Sequence, residues 1–581
     1  WLSARVVSGT CDPFYSMVTR LQVLDIRTSK ADSITDTQAV ISCSVDDAAL
    51  NYGEWGVLVD TKALPDTSST RMAGDPELPL QVRLSGLLPG EKYYVRVYIK
   101  LQDGSLVMGN ILDFTTLKIE TLNRINVTDS TALVWYRITG DAGQASHGVF
   151  YDNDLLPDTT SAKAQGFTDG ENWKSSLTGL SAGETYKVRP YIKIYNRYFF
   201  GETINLKTFS DYSGDTVDNT PFSVTHKIVW NAYATAKKIS QPGVYADYGR
   251  VKRIGNSDTL MLVYHGGPDN QDWLNIYLRK SFDNGVTWED HQVMADVSKY
   301  STYWRFCNPE LIELKNGWLL LAYTANGKPE TNENCYLHLL TSKDRGKTWE
   351  GPLLIQTGRS WEPAMVQLPH GEIELFYSSE ARWWPPVSGV NIEQEIHVIR
   401  STDNGITWSF PQNVAYYPGI RDGMPVPLLL KGNKGVIFTI ETVNSGTSPY
   451  IVKRDLAGPW KLTSTNFENS PYRWLAGYFA GHGGAPYIIQ LPTGETVLSA
   501  HIYRGGDWHQ NNYMQVMVGD NEAKHFGDVT TPWGLLPANE SAVNNSLFLK
   551  DSTTIMAVSG RNFPDGSGGI YWLQGAIIPR D

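Results

Sequence analysis

Short runs of alternating apolar and polar residues recur along this chain, and they fall into two different periods. In "YYVRVYIK" and "YKVRPYIK" the alternation predicts strands, each preceded by a Gly-containing turn. Both runs sit inside longer segments that repeat one another, beginning at Leu84 and Leu177. Gly90 and Gly183 lie 93 residues apart, as do Tyr98 and Tyr191. Repeats of this length, built from short strands, predict two β-sandwiches.

From about Asp211 a second period takes over. "SFDNGVTW" (Ser281–Trp288), "SKDRGKTW" (Ser342–Trp349) and "STDNGITW" (Ser401–Trp408) all fit S-x-D-x-G-x-T-W, with their Trp residues 61 and 59 apart. In phase with them, "NPELIELKNGWLLLAY", "EPAMVQLPHGEIELFY" and "APYIIQLPTGETVLSA" each place a Pro eight residues before a turn Gly. "MPVPLLLKGNKGVIFT" fits with Asn433 at the turn, "GRVKRIGNSDTLMLVY" with Arg250 in place of the Pro, and "NSLFLKDSTTIMAV" more loosely. Equating Arg250, Pro309, Pro363, Pro425, Pro486 and Ser546 gives spacings of 59, 54, 62, 61 and 60, the signature of a six-bladed propeller. The expected organisation is all-β. Residues 1–117 form an N-terminal segment plus the first sandwich, 118–210 the second sandwich, and 211–581 a six-bladed β-propeller that carries the catalysis.

Composition narrows the function classes. With 19% charged and 12% aromatic residues over 581 positions the chain is folded. Its net charge of −11 and lack of a dense Lys/Arg run argue against a nucleic-acid partner. No apolar run reaches the roughly 18 residues of a membrane span. A start at Trp1 and not Met suggests a removed leader, hence a secreted, periplasmic or cell-surface protein, expected to act as a monomer. Cys11, Cys43, Cys307 and Cys335 lack metal-ligand spacing and read as buried thiols.

Strand parity locates the chemistry. In a four-stranded meander the start of the innermost strand and the end of the second share one face, and the turn after the third strand lies on the other. The S-x-D-x-G-x-T-W box follows a third strand ("NIYLRKSFDNGVTW"), so its Asp is a turn residue and not a catalyst. On the opposite face fall Asp247, Arg250, His265, Arg305, Asn308, Trp361, Glu362, Glu380, Arg421, Asp422, Glu441, His482, His501, Arg504 and Arg561. Sugar hydrolysis needs two facing carboxylates, with aromatics to stack on the sugar and polar groups to bond its hydroxyls. Glu362 in "SWEPAMV" and Glu441 in "VIFTIET" are the expected catalytic pair, from neighbouring blades. Trp361, Arg421, Asp422, Glu380, Arg250, Asn308 and His482 are expected to bind substrate. His482, His501 and His509 do not converge in sequence with carboxylates, and "GHGGAP" is no phosphate loop. Neither a metal nor a cofactor is expected.

Three resemblances follow from these residues. L-x-G-L-x-x-G-x-x-Y-x-V-R, present at Leu84 and Leu177, resembles fibronectin type III modules, in which the Tyr pins a sandwich corner. The boxes resemble the Asp-boxes of the sialidase superfamily of six-bladed propellers. "WEPAMVQLPHGEIELFYSSE" followed by a box and "RDGMPVPLLLKGNKGVIFTIE" resembles the exo-α-1,5-L-arabinanases over Ser360–Glu441. That resemblance implies an exo-acting, retaining hydrolase with Glu362 and Glu441 as its two catalytic carboxylates, about 5–5.5 Å apart. A sialidase is the alternative, with Arg250, Arg421, Arg504 and Arg561 to draw a triad from and Tyr503 or Tyr478 as nucleophile. A non-catalytic carbohydrate-binding propeller is the third reading.

Overall fold

The computed structural model describes residues 5–6, 14–15, 25–45, 54–75, 77–140, 145–168, 172–210, 216–267, 274–386, 392–443, 448–460, 469–477, 482–503, 511–537 and 539–580. The fold is nearly all β: among these residues helix is confined to Ala232–Thr235 and three short 3-10 turns. Contacts group the chain into two compact units. One holds residues 1–122, 133–177 and 185–205; the other holds 123–132, 178–184 and 206–581.

The N-terminal repeats share one strand order. In the first, Ile26–Asp32, Gln38–Val45 and Gln81–Ser85 form a three-stranded antiparallel sheet. Thr70–Ala73, Trp55–Asp60, Lys92–Lys100 and Leu106–Thr115 form a four-stranded one. Ile41, Val57, Val82, Val95 and Val97 are fully buried in a single core, drawing on alternate positions of "YYVRVYIK". Gly90 turns the chain at φ +75°, and Leu88 N–H donates to the Tyr93 hydroxyl at 2.9 Å, tying the turn to the strand after it. The second repeat pairs its strands in the same order. Ala162–Thr168 also pairs with Trp173–Thr178, which merges its strands into one eight-stranded sheet.

Among the described residues the second unit contains six antiparallel sheets, each a meander. The first two strands of sheets I to VI are Tyr245–Arg253 and Leu260–Gly267, Tyr303–Glu313 and Leu319–Gly327, Ser360–Gln367 and Ile373–Ser379, Arg421–Leu429 and Val436–Val443, His482–Gln490 and Thr496–Tyr503, and Ser541–Leu549 and Thr554–Asn562. Each sheet's first strand packs against that of the next, and sheet VI packs against sheet I, so the six first strands close a ring. Sheet VI is completed from the other end of the sequence: His226–Trp230 pairs with Gly568–Pro579 as its outer strand.

The three S-x-D-x-G-x-T-W segments are turns between third and fourth strands. In each, the Asp accepts the backbone N–H and the hydroxyl of the Thr four residues on, and the Ser hydroxyl accepts the Gly N–H. These donors hold Asp283 and Asp344 down to about 2. The glycines, at φ +84°, +80° and +89°, press on the preceding sheet. A Cβ there would lie 2.0 Å from Trp572, 2.5 Å from Met261 and 2.9 Å from Leu320, respectively.

Every first strand also carries a β-bulge, and the residue entering it has left-handed backbone: Tyr248, Asn308, Glu362, Met424, Ala485 and Asn544, at φ +56°, +52°, +50°, +51°, +43° and +48°. The residues that follow are Gly249, Pro309, Pro363, Pro425, Pro486 and Asn545. The structural equivalents of the four prolines are therefore Gly249 and Asn545, one residue before the Arg250 and Ser546 that the spacing suggested. Arg250 and Ser546 instead resume the regular pairing, with Val263 and Val558.

Candidate active site

Four of the bulges come together at one place. Side chains of Tyr248, Met424 and Ala485, from sheets I, IV and V, form a small buried cluster of their own. Glu362, from the sheet III bulge, lies close enough for its charge to act on Tyr248. Opposite the residue before each bulge, the second strand places His265, Thr324, Ser378, Glu441, His501 and Gly560. Three of these accept the bulge N–H of the next sheet. Asn308 N–H reaches His265 Nδ1 at 3.2 Å, Met424 N–H reaches Ser378 Oγ at 3.1 Å, and Ala485 N–H reaches Glu441 Oε2 at 2.7 Å. In sheet VI the equivalent residue is Gly560; there Tyr248 N–H turns to Asp247 Oδ1 at 2.7 Å, and Asn544 Nδ2 bonds Oδ2 at 2.7 Å.

Glu362 and Glu441 thus meet beside the sheet IV bulge. Glu362 Oε2 accepts the Ser378 hydroxyl at 2.7 Å and the Met424 N–H at 3.3 Å. Glu441 pairs across the sheet with Gly423, the residue before Met424. Two glycines make room for its carboxylate. A Cβ on Gly423 would stand 3.3 Å from Oε1, and one on Gly484 3.1 Å from Oε2. Burial pushes both carboxyls up, and the Glu441 charge adds to the effect on Glu362, which reaches about 7. The Ala485 amide and Arg421 oppose the shift at Glu441. Two carboxylates in one field cannot both hold full charge cheaply, so their coupling favours a proton on one of them.

Around the pair runs a chain of alternating charges. Arg305 bonds Glu330 at 2.7 Å, Glu330 bonds Arg359 at 3.2 Å, and Arg359 bonds Glu380 Oε2 at 2.7 Å. Glu380 Oε1 bonds Arg421 at 2.6 Å. Trp361 stands between Arg305 and Arg359, each 5.4 Å from its ring, and Trp304 and Trp384 extend the row at 4.4 and 4.5 Å from the same arginines. Glu380 therefore orients Arg421, whose charge reaches both Glu362 and Glu441.

Other expected site residues are placed differently. Both oxygens of Asp422 are taken by Arg473, at 2.7 and 2.8 Å, and both residues are fully buried. Arg250 is buried with its guanidinium 3.9 Å over the Tyr248 ring, 3.3 Å from Glu310 and donating to the Asn544 carbonyl. Asn308 enters the sheet II bulge, and its amide fixes His265, which burial lowers to about 4. Arg561 is committed to Glu540 at 2.9 Å. His482 pairs with Tyr503 through its backbone; its side chain, like Arg504, Tyr478 and His509, lies outside the described residues. Tyr248, Met424, Ala485 and Ser378 were not singled out by sequence. The sequence signal for two of them was the x-Pro pair at a strand start, passed over because Met and Ala carry no obvious chemistry.

Cys43, Cys307 and Cys335 are buried free thiols, and Cys11 lies outside the described residues. Among the described residues no group of three or more His, Cys, Asp or Glu is disposed to hold a metal, and no helix is long and apolar enough to cross a membrane. A separate cavity of about 500 Å³ lies where sheets III and IV turn at their other ends. Its Glu372 and Glu374 are closed by Arg400 at 2.6 Å and Arg454 at 2.7 Å.

No protein-family model and no curated protein sequence matches the chain. Several solved structures resemble it in form. One is a protein of unknown function from Dyadobacter fermentans, 18% identical, covering 60% of this chain and 99% of that one, with a TM-score of 0.48. Another is a GH93 α-L-arabinofuranosidase of Fusarium graminearum in complex with arabinobiose, 16% identical over 61% and 98%, with a TM-score of 0.43. A third is an arabinanase of Bacillus subtilis, 10% identical over 58% and 94%, with a TM-score of 0.28. Identities and scores this low leave the chemistry of this chain to its own residues.

Proposed function

We propose that this protein is a glycoside hydrolase whose six sheets are the blades of a propeller and whose two N-terminal repeats are fibronectin-like sandwiches, with boundaries near residues 118 and 211. The observation that carries the reading is the pair Glu362 and Glu441. They are half-buried carboxylates from adjacent sheets, electrostatically coupled and held by different donors. In that reading one of the two delivers a proton to the departing glycosidic oxygen and the other meets the anomeric carbon as the nucleophile, with Glu362, raised to about 7, taken as the acid. Arg421 steadies the charge of both, and Trp361 offers a face to the sugar. Glu380 acts through Arg421, and Asp422 acts by fixing the strand that carries Gly423. The exo-arabinanase resemblance over Ser360–Glu441 supports an exo-acting, retaining enzyme on a polymeric glycan, a substrate met outside the cytoplasm. A sialidase needs free arginines to grip a carboxylate, and Arg250 and Arg561 are committed to Glu310 and Glu540.

The test is product mass spectrometry after incubation with α-1,5-arabinan, a sialylated glycan and mixed plant and host glycans, beside a Glu362→Gln variant. Release of arabinose or arabinobiose, reduced about 10²–10⁴-fold in the variant, is the expected result. Sialic acid released equally by both proteins would move the chemistry to the arginines and a tyrosine. No release from any glycan, with retained affinity, would make this a binding protein.

A further inference from the structure

The hydrogen bonds around Glu362 have a direction. Ser378 Oγ accepts the Met424 N–H at 3.1 Å, so its own proton points elsewhere, and its acceptor is Glu362 Oε2 at 2.7 Å. Ser378 is fully buried and has no other acceptor among the described residues. A proton placed on Oε2 would displace that donation and strand the hydroxyl without an acceptor, which costs more for a buried group than for one in water. Oε2 is further claimed by the Met424 N–H at 3.3 Å, whereas no described donor reaches Oε1.

The donor of this relay, Met424, holds left-handed backbone at φ +51° inside a bulge, and Pro425 follows it. The same bulge sets Gly423 against Glu441. One irregularity in sheet IV therefore orients both carboxylates, directly for Glu441 and through Ser378 for Glu362.

We infer that Ser378 is a positioning residue whose hydroxyl, aimed by the Met424 amide, fixes the transferable proton of Glu362 on Oε1. The inference rests on the hydrolase reading for its consequence in turnover, and on geometry alone for the location of the proton. The other charged and titratable groups facing Glu362 are Glu441 and Arg421 from sheet IV, Tyr248 from sheet I and Cys307 from sheet II. None of them is altered by a change at Ser378.

The deciding measurement is an infrared titration of the protonated carboxyl of Glu362, identified as the band missing in Glu362→Gln, in the wild type and in Ser378→Ala and Ser378→Cys. The hydroxyl favours the ionised carboxylate, so its loss should raise the titration midpoint, by about half a unit or more, in both variants. Cysteine fills the same space with a weaker donor, and thermal melting of each variant checks that it folds. An unchanged or lowered midpoint in folded Ser378→Ala overturns the inference. On a substrate that the enzyme turns over, Ser378→Ala should lower kcat about 10- to 100-fold with little change in KM, and should move the alkaline limb of the pH profile upward. A loss confined to KM, or an unmoved limb, also overturns it. If no glycan is turned over, the hydrolase reading fails while the titration still decides whether the Ser378 hydroxyl donates to the Glu362 carboxylate.

Discussion

At the residue scale the candidate acid is held in a state that opposes stability at high pH. Burial and the charge of Glu441 raise Glu362 to about 7, from an ordinary 4.5. Between those two values the folded chain keeps a proton that the unfolded chain has released. The contribution is therefore fully present below about pH 4.5 and is lost as pH rises through 7, a change on the order of 3 kcal/mol. Glu362→Gln cannot ionise and should lack this slope. Melting curves from pH 5 to 8 should show the wild type losing ground to the variant, and parallel curves would contradict the shift. Asp283 and Asp344 have the opposite sign, since both are held down to about 2. Their stabilisation is present above about pH 4 and is lost as pH falls through 2. The two Glu positions were legible because strand parity directs particular strand ends to one face. The fate of Asp422 was not, because Arg473, 51 residues further on, reaches it only through the fold.

At the element scale the recurrent device is the bulge. Proline has no N–H to give to a ladder, so an interruption in pairing is where a strand can accept it. Four of the six bulges use this, at Pro309, Pro363, Pro425 and Pro486. The residue before each takes φ near +50°, a conformation that side chains other than glycine adopt at a cost. The cost is offset by an amide that points across to a side chain of the preceding sheet, as at Met424 and Ala485. Glycines one step earlier keep the space clear. Gly484→Ala would put a Cβ 2.6 Å from His501 Nε2 and 3.1 Å from Glu441 Oε2. It should lower turnover by about tenfold or more while costing about 1–3 kcal/mol in stability. Gly104→Ala, at φ +86° with nothing within 4 Å of its Cβ, should cost some stability and no activity. Equal activity losses in the two variants would refute a specific role for the Gly484 gap.

At the scale of the whole molecule, sheet VI of the ring is completed by a strand that precedes sheet I in the chain. His226–Trp230 pairs along Gly568–Pro579 from His226 against Pro579 to Trp230 against Gly575. Ile228 and Ile577 join the core shared by sheets IV to VI, and the Trp230 indole donates to Thr530 at 2.9 Å. A chain lacking His226–Trp230 should melt at a lower temperature and aggregate, because an unpaired strand edge is exposed. Unaltered melting and a monodisperse sample would show the closure to be dispensable. The repeat count was legible in the sequence, but this strand was not, since it belongs to no repeat and its partner lies more than three hundred residues away.

The sequence by itself determined the strands, the two repeat families, the sites of the turns and the face on which chemistry should be sought. Each of these follows from local rules: period-two alternation, turn glycines and the parity of a meander. Only the tertiary structure decided which polar residues at that face are tied into ion pairs. Arg250 and Asp422 were drawn into buried ion pairs with Glu310 and Arg473, while Glu362 and Glu441 keep neutral donors, with the Arg421 charge acting on both. Sequence records the donors and acceptors; their pairing is fixed by distances between sheets, which no local pattern contains.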